Sequence, residues 1–165
     1  MTFPQHNGQI PLYYQYKSTG RPTALGGWCA KYIDIPTEPA YPFGYGLSYT
    51  TFNYSDVKLL PGDGKGTYTR VAVTVTNTGK YEGEEVVQLY VRDEVASITR
   101  PIKELKGFEK IKLSPGESKM VTFDVKDEQL GFYNNQMKFI VEKGDFTLMV
   151  GGNSRDLQEI KYILN

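Results

Sequence analysis

The chain has 165 residues, which suits one domain of about 100 to 200 residues plus extra material, and its nineteen basic and nineteen acidic side chains cancel, leaving no charge that would draw it to nucleic acid or to an anionic membrane. No apolar run approaches the roughly 20 residues that span a bilayer, and Met1-Thr2-Phe3-Pro4-Gln5 has neither the basic nor the apolar region of a signal peptide, so the chain reads as soluble and without an address. The single Cys29 excludes an internal disulfide and a cysteine-based zinc site, and reads as a structural or incidental thiol.

Residues 1–51 are interrupted every few positions by proline or glycine, and no apolar period survives for long. Only "GQIPLYYQYK" looks strand-like, with Ile10, Leu12 and Tyr14 on one side, while Pro36, Pro39 and Pro42 limit helix and central strand alike. A segment of some fifty residues, rich in aromatics yet without secondary structure of its own, is unexpected in a self-contained domain, so this half reads as the tail of something larger. It ends in "YPFGYGLSYTTF", Tyr41 to Phe52, which packs five rings and two glycines into twelve positions.

From Phe52 onward the period is two. Val71, Val73 and Val75 alternate with Ala72, Thr74 and Thr76, and the same grammar recurs in Val87, Leu89 and Val91, in Val121, Phe123 and Val125, and in Phe146, Leu148 and Val150. Weaker candidates are Asn53 to Leu60, Ile102 to Ile111 and Gln158 to Leu164. Turn clusters separate the strands: Pro61-Gly62-Asp63-Gly64, Asn77-Thr78-Gly79, Ser114-Pro115-Gly116-Glu117 and Gly151-Gly152-Asn153-Ser154. About seven strands at this spacing, with no long helical period, predict an all-β antiparallel sandwich over 52–165, preceded by an irregular segment over 1–51 that is not an independent domain.

Few constellations carry chemistry. Consecutive strand residues point to opposite faces, so Glu84 and Glu85 diverge and read as solvated strand-end charge; Asp93-Glu94 reads as a loop. "GDGKGT", Gly62 to Thr67, lacks the spacing of a phosphate-binding loop and is followed by a strand, which leaves a hairpin connection. His6 has no nucleophile motif beside it and no second histidine for a metal, so it reads as a surface or packing residue, and the sequon Asn53-Tyr54-Ser55 enters a strand. No cofactor or metal site is expected. The thirteen tyrosines are compatible with packing and docking or with a sugar-stacking platform. Packing is the simpler reading for the rings of Tyr41, Phe43, Tyr45, Tyr49 and Phe52, with Gly44 and Gly46 giving the linker freedom to turn.

"YPFGYGLSYTTF" followed by "VTVTNTG", "GEEVVQLYVRD", "RPIKELKGFEK", "LSPGES" and "GDFTLMVGG" resembles the C-terminal end of glycoside hydrolase family 3 β-glucosidases nearly end to end. The resemblance implies a fibronectin type III-like sandwich over 52–165, with the aromatic segment as the junction from a preceding α/β domain whose last stretch is similar to Phe3 to Pro22. It implies a parent enzyme that cleaves terminal β-glucosidic bonds with retention, and a periplasmic or secreted location. The family's aspartate nucleophile typically lies in a Ser-Asp-Trp motif of an N-terminal barrel; here the only Ser-Asp is Ser55-Asp56-Val57, and the lone Trp28 follows Gly27. Its acid/base glutamate precedes the part represented here. No catalytic residue is therefore expected on the chain.

The expected role is a non-catalytic module whose partner is the missing catalytic part of the same polypeptide; the alternative is a carbohydrate-binding module that retains glycan. If Val87, Leu89 and Val91 face the core, Val86 and Tyr90 point outward together with Met149 of the pairing strand, and this apolar outer face is the expected docking surface, toward either the segment before Tyr41 or the catalytic domains; the alternative is a reversed phase, with Val86 inside.

Overall fold

The structure, a computed structural model, describes residues 1–18, 32 and 34–165. Trp28 and Cys29 lie outside the described residues. Seven long strands build two antiparallel sheets: β1 (Phe52–Pro61), β2 (Thr69–Asn77) and β5 (Ser118–Val125) in the order β1-β2-β5, and β3 (Gly83–Asp93), β4 (Glu104–Leu113), β8 (Gly144–Gly151) and β9 (Leu157–Leu164) in the order β4-β3-β8-β9. Between β5 and β8 the chain forms one helical turn, α1 (Asp127–Leu130), and a two-stranded ribbon of β6 (Phe132–Tyr133) and β7 (Phe139–Ile140), neither of which has a periodic signal long enough to read. No helix among the described residues is long and apolar enough to cross a membrane.

The alternating valines do what a period of two requires. Val71, Val73 and Val75 meet Val87, Leu89, Val91, Val121, Phe123, Phe146, Leu148 and Val150 in one core between the sheets, where each fully buried side chain contributes roughly 1.5–3 kcal/mol. Strand β1 joins this core in two phases. Phe52 and Tyr54 face inward ahead of a bulge between Ser55 and Lys58, where Asp56 takes a φ of 55°; beyond it Val57 and Leu59 face inward. The extra residue shifts the alternation by one, so both halves of the strand reach the core.

Three sequence expectations need correction. "GQIPLYYQYK" forms no strand: Asn7–Gln9 is a 3-10 turn, and the stretch makes one isolated bridge, Lys17 to Pro101. A strand needs a neighbouring backbone edge, whereas this segment lies across the face of a sheet, and Pro11 has no N–H to offer. Asp93 belongs to β3, paired with Phe146, and only Glu94 starts the loop. Glu85 is half-buried and has a partner: Tyr54 donates its hydroxyl to Glu85 Oε1 at 2.7 Å, while Glu84, on the opposite face, is exposed and pairs with Lys110 at 2.6 Å. "GDGKGT" is the β1–β2 connection, with the Asp63 carboxylate accepting the Lys65 and Thr67 amides.

Candidate docking surface

On a sheet with one wet face, buried and exposed residues alternate. β3 breaks this rule, since residues 87–91 are all buried, and so are 146–151 of β8. The outer face is therefore covered at its centre, and the cover is the chain's own N-terminal segment.

Tyr90 and Met149 stand opposite each other in the ladder, on that outer face. Tyr90 is fully buried because the Tyr14 ring meets it edge-on, with centroids 5.8 Å apart, and Tyr14 stacks in turn on Phe43 at 4.2 Å. The Tyr90 hydroxyl donates to Gln88 Oε1 at 2.6 Å, and Gln88 Nε2 donates to the Gly44 carbonyl at 3.1 Å and the Gly152 carbonyl at 2.6 Å. A single buried amide thus joins the sheet, the β8–β9 turn and the aromatic linker. Gly44 has a φ of 81°, and a β-carbon on it would stand 2.1 Å from Gln88 Oε1, so both the backbone and the space require glycine.

The latch is closed at further points. The Ser154 amide donates to the Phe43 carbonyl at 2.8 Å, and Lys103 Nζ donates to the Ser154 carbonyl at 2.8 Å. The Ile102 amide donates to the Tyr16 carbonyl at 2.9 Å. Within the segment, the buried Gln9 amide donates to the carbonyls of Pro36 and Glu38, and Phe3 and Tyr41 exchange backbone hydrogen bonds. The β3–β4 loop that receives Tyr16 is itself held from below: Arg100 lies 3.5 Å from Asp93, pairs with Glu104, and sits 4.6 Å over the Phe132 ring.

Burial governs the local electrostatics. Desolvation, with a smaller contribution from Tyr14, raises the Tyr90 hydroxyl above the ordinary tyrosine range, so it remains a donor to Gln88. Desolvation raises the Asp93 carboxyl despite Arg100, and lowers the Lys103 ammonium. Beside the latch, Arg92, Glu94, Thr147 and Lys161 line a cavity of about 260 Å³ in which Glu94 accepts from Lys161 at 2.7 Å and pairs with Arg92 at 3.0 Å. Among the described residues no group of three His, Cys, Asp or Glu could hold a metal ion.

The sequence candidates separate into four sets. Phe43, Gly44 and Tyr90 belong to the latch, Met149 is buried beside Tyr90 on the same outer face, and Phe52 packs against the core of the sandwich. Tyr41 and Tyr45 are on the linker's other side, half-exposed. Val86 is partly exposed, Tyr49 projects into solvent, and Gly46 has no neighbour that would restrict a side chain. Sequence reasoning missed Gln88, Gln9 and Ser154 as latch residues. It also missed Phe108, exposed on the outer face opposite Gln88 in register.

The two packed antiparallel sheets, β1-β2-β5 and β4-β3-β8-β9, define a fibronectin type III-like sandwich, and residues 85–154 match the family described as fibronectin type III-like domain. The periplasmic β-glucosidase of Salmonella typhimurium is 48% identical over 166 residues, covering 96% of this chain and 21% of the relative. A β-xylosidase of Formosa agariphila is 46% identical, over 94% of this chain and 21% of its own length. Among solved structures, the β-glucosidase of Listeria innocua in complex with glucose superposes with a TM-score of 0.87 at 42% identity, over 99% of this chain and 23% of that one. The chain is thus similar, nearly end to end, to the C-terminal, fibronectin type III-like part of relatives named β-glucosidase and β-xylosidase. It spans about a fifth of the length of the curated relatives it matches.

Proposed function

We propose that the chain is a non-catalytic module that docks on the catalytic part of a β-glucosidase-like hydrolase and stabilises it, the parent reaction being hydrolysis of terminal β-glucosidic bonds. The observation that carries this reading is the latch. An aromatic segment with no core of its own is fastened to the outer sheet face through Tyr14, Phe43 and Gln88, which gives the sandwich a rigid mount for whatever that segment adjoins in the relatives. Retaining glycosidases need two carboxyl groups about 5–5.5 Å apart flanking the sugar. The adjacent pair Glu84 and Glu85 is divided between opposite faces, each with its own partner.

The purified chain is expected not to hydrolyse chromogenic β-glucosides. Turnover that co-purifies with it, and that one carboxylate substitution abolishes, would overturn the non-catalytic part of the proposal.

A further inference from the structure

The linker is two-sided. Phe43 turns inward to Tyr14, while its neighbours Tyr41 and Tyr45 turn outward and join Phe3 in a continuous row: Phe3 meets Tyr41 edge-on at 6.3 Å, and Tyr41 meets Tyr45 at 5.2 Å. The three rings are 51%, 50% and 41% exposed. Their backbones are already fixed, because Phe3 and Tyr41 exchange hydrogen bonds, the Tyr45 amide donates to the Pro42 carbonyl at 3.1 Å, and the Phe43 and Gly44 carbonyls are held by Ser154 and Gln88. Aromatic side chains held in place lose little further freedom on binding, and rigid rings of this kind anchor interfaces.

From this geometry we infer that the row Phe3, Tyr41 and Tyr45 is the contact face for the preceding part of the hydrolase polypeptide; the inference rests on the docking role proposed above. Two observations select that occupant. The ring planes lie 85° and 42° apart, so the row offers no common flat surface on which successive pyranose rings could stack. The relatives also carry about four-fifths of their length outside the region matched here, and the row is continuous, through Phe43, with the latch that already ties this segment to the sandwich.

The test measures binding in trans. The full 165-residue chain is titrated against the Salmonella typhimurium enzyme lacking the fifth that this chain matches, using sedimentation velocity, and is compared with Tyr45→Ser, Tyr41→Ser/Tyr45→Ser and, as a control on the opposite sheet, Met120→Ser. The expected result is binding by the unaltered chain and by Met120→Ser, with affinity about tenfold weaker for Tyr45→Ser and weaker still for the double variant, as for loss of interface anchors. Tyr45→Ser decides the matter if the double variant unfolds. If the unaltered chain binds and Tyr45→Ser binds equally well, the row is not the contact face and the docking role stands. If the unaltered chain does not bind, the docking role fails and the inference with it. A dimer of the chain alone that Tyr45→Ser dissolves, or a tyrosine fluorescence response to cellobiose that Tyr41→Ser removes, would overturn the inference in favour of a second copy or a glycan.

Discussion

Gly44 and Gln88 are joined so closely that the Gln88 amide donates to the Gly44 carbonyl at 3.1 Å, while a β-carbon on Gly44 would lie 2.1 Å from the same amide's oxygen. One contact thereby specifies the residue on each side. Gly44→Ala must either displace Gln88, which would orphan the Tyr90 hydroxyl, or abandon the left-handed backbone at a φ of 81°. A cost of about 1–3 kcal/mol is expected for such strain. It should fall on the latch, so limited proteolysis should release residues before Phe52 sooner than in the unaltered chain while the sandwich stays resistant. Unchanged cleavage would show that the linker is held elsewhere.

Tyr90 and Val86 leave β3 on the same side, but Tyr90 is fully buried and Val86 is 38% exposed. In the full chain, Tyr90→Ser removes a packed ring and should lower stability by about 2–4 kcal/mol, whereas Val86→Ser should stay near 0.5 kcal/mol. In residues 52–165 alone, which we expect to fold independently, Tyr90 has lost Tyr14 and the same substitution should be nearly neutral. Chemical denaturation of both lengths decides it; an equal loss in both would place Tyr90 in the sandwich core and leave the strap without an energetic role.

Glu85 supplies a pH dependence with a defined sign. Burial raises its carboxyl above the usual value, and the hydrogen bond from Tyr54 opposes this only in part. The folded state therefore holds the proton more tightly than the unfolded state, and this group's contribution to stability rises as pH falls through the folded pKa toward the unfolded one. Glu85→Gln keeps an acceptor for Tyr54 without the charge, so it should melt above the unaltered chain at neutral pH, with the gap closing as the medium is acidified through the raised folded pKa toward the ordinary glutamate value of about 4.3. A gap that is constant or widens on acidification would mean that the Glu85 charge is not penalised by folding.

How much of this was legible follows from the range of each interaction. The strands around Val73, Leu89, Phe123 and Leu148 could be read directly, because alternation is local and their core is one-sided or continuous. β1 was weak because the bulge at Asp56 splits its alternation into two phases, and the ribbon of Phe132 to Ile140 is too short to show a period. The apolar excess on both phases of "VVQLYV" does signal a covered outer face. What covers it is not visible locally, since Gly44 and Gln88 are 44 positions apart, and Tyr14 and Tyr90 are further apart still. A strand-like pattern in "GQIPLYYQYK" misleads for the same reason: the alternation there serves a face, and no edge is available to complete a ladder.

The docking role makes a direct thermodynamic demand, because a module that binds only the folded catalytic part must stabilise it by mass action. The decisive measurement is the melting temperature of the Salmonella typhimurium enzyme lacking its matching fifth, followed by residual β-glucosidase activity after heating, with increasing amounts of this chain. The account predicts that the melting temperature rises with chain concentration, and that the Gly44→Ala chain is a poorer stabiliser. A melting temperature that stays constant with the chain in large molar excess would contradict it.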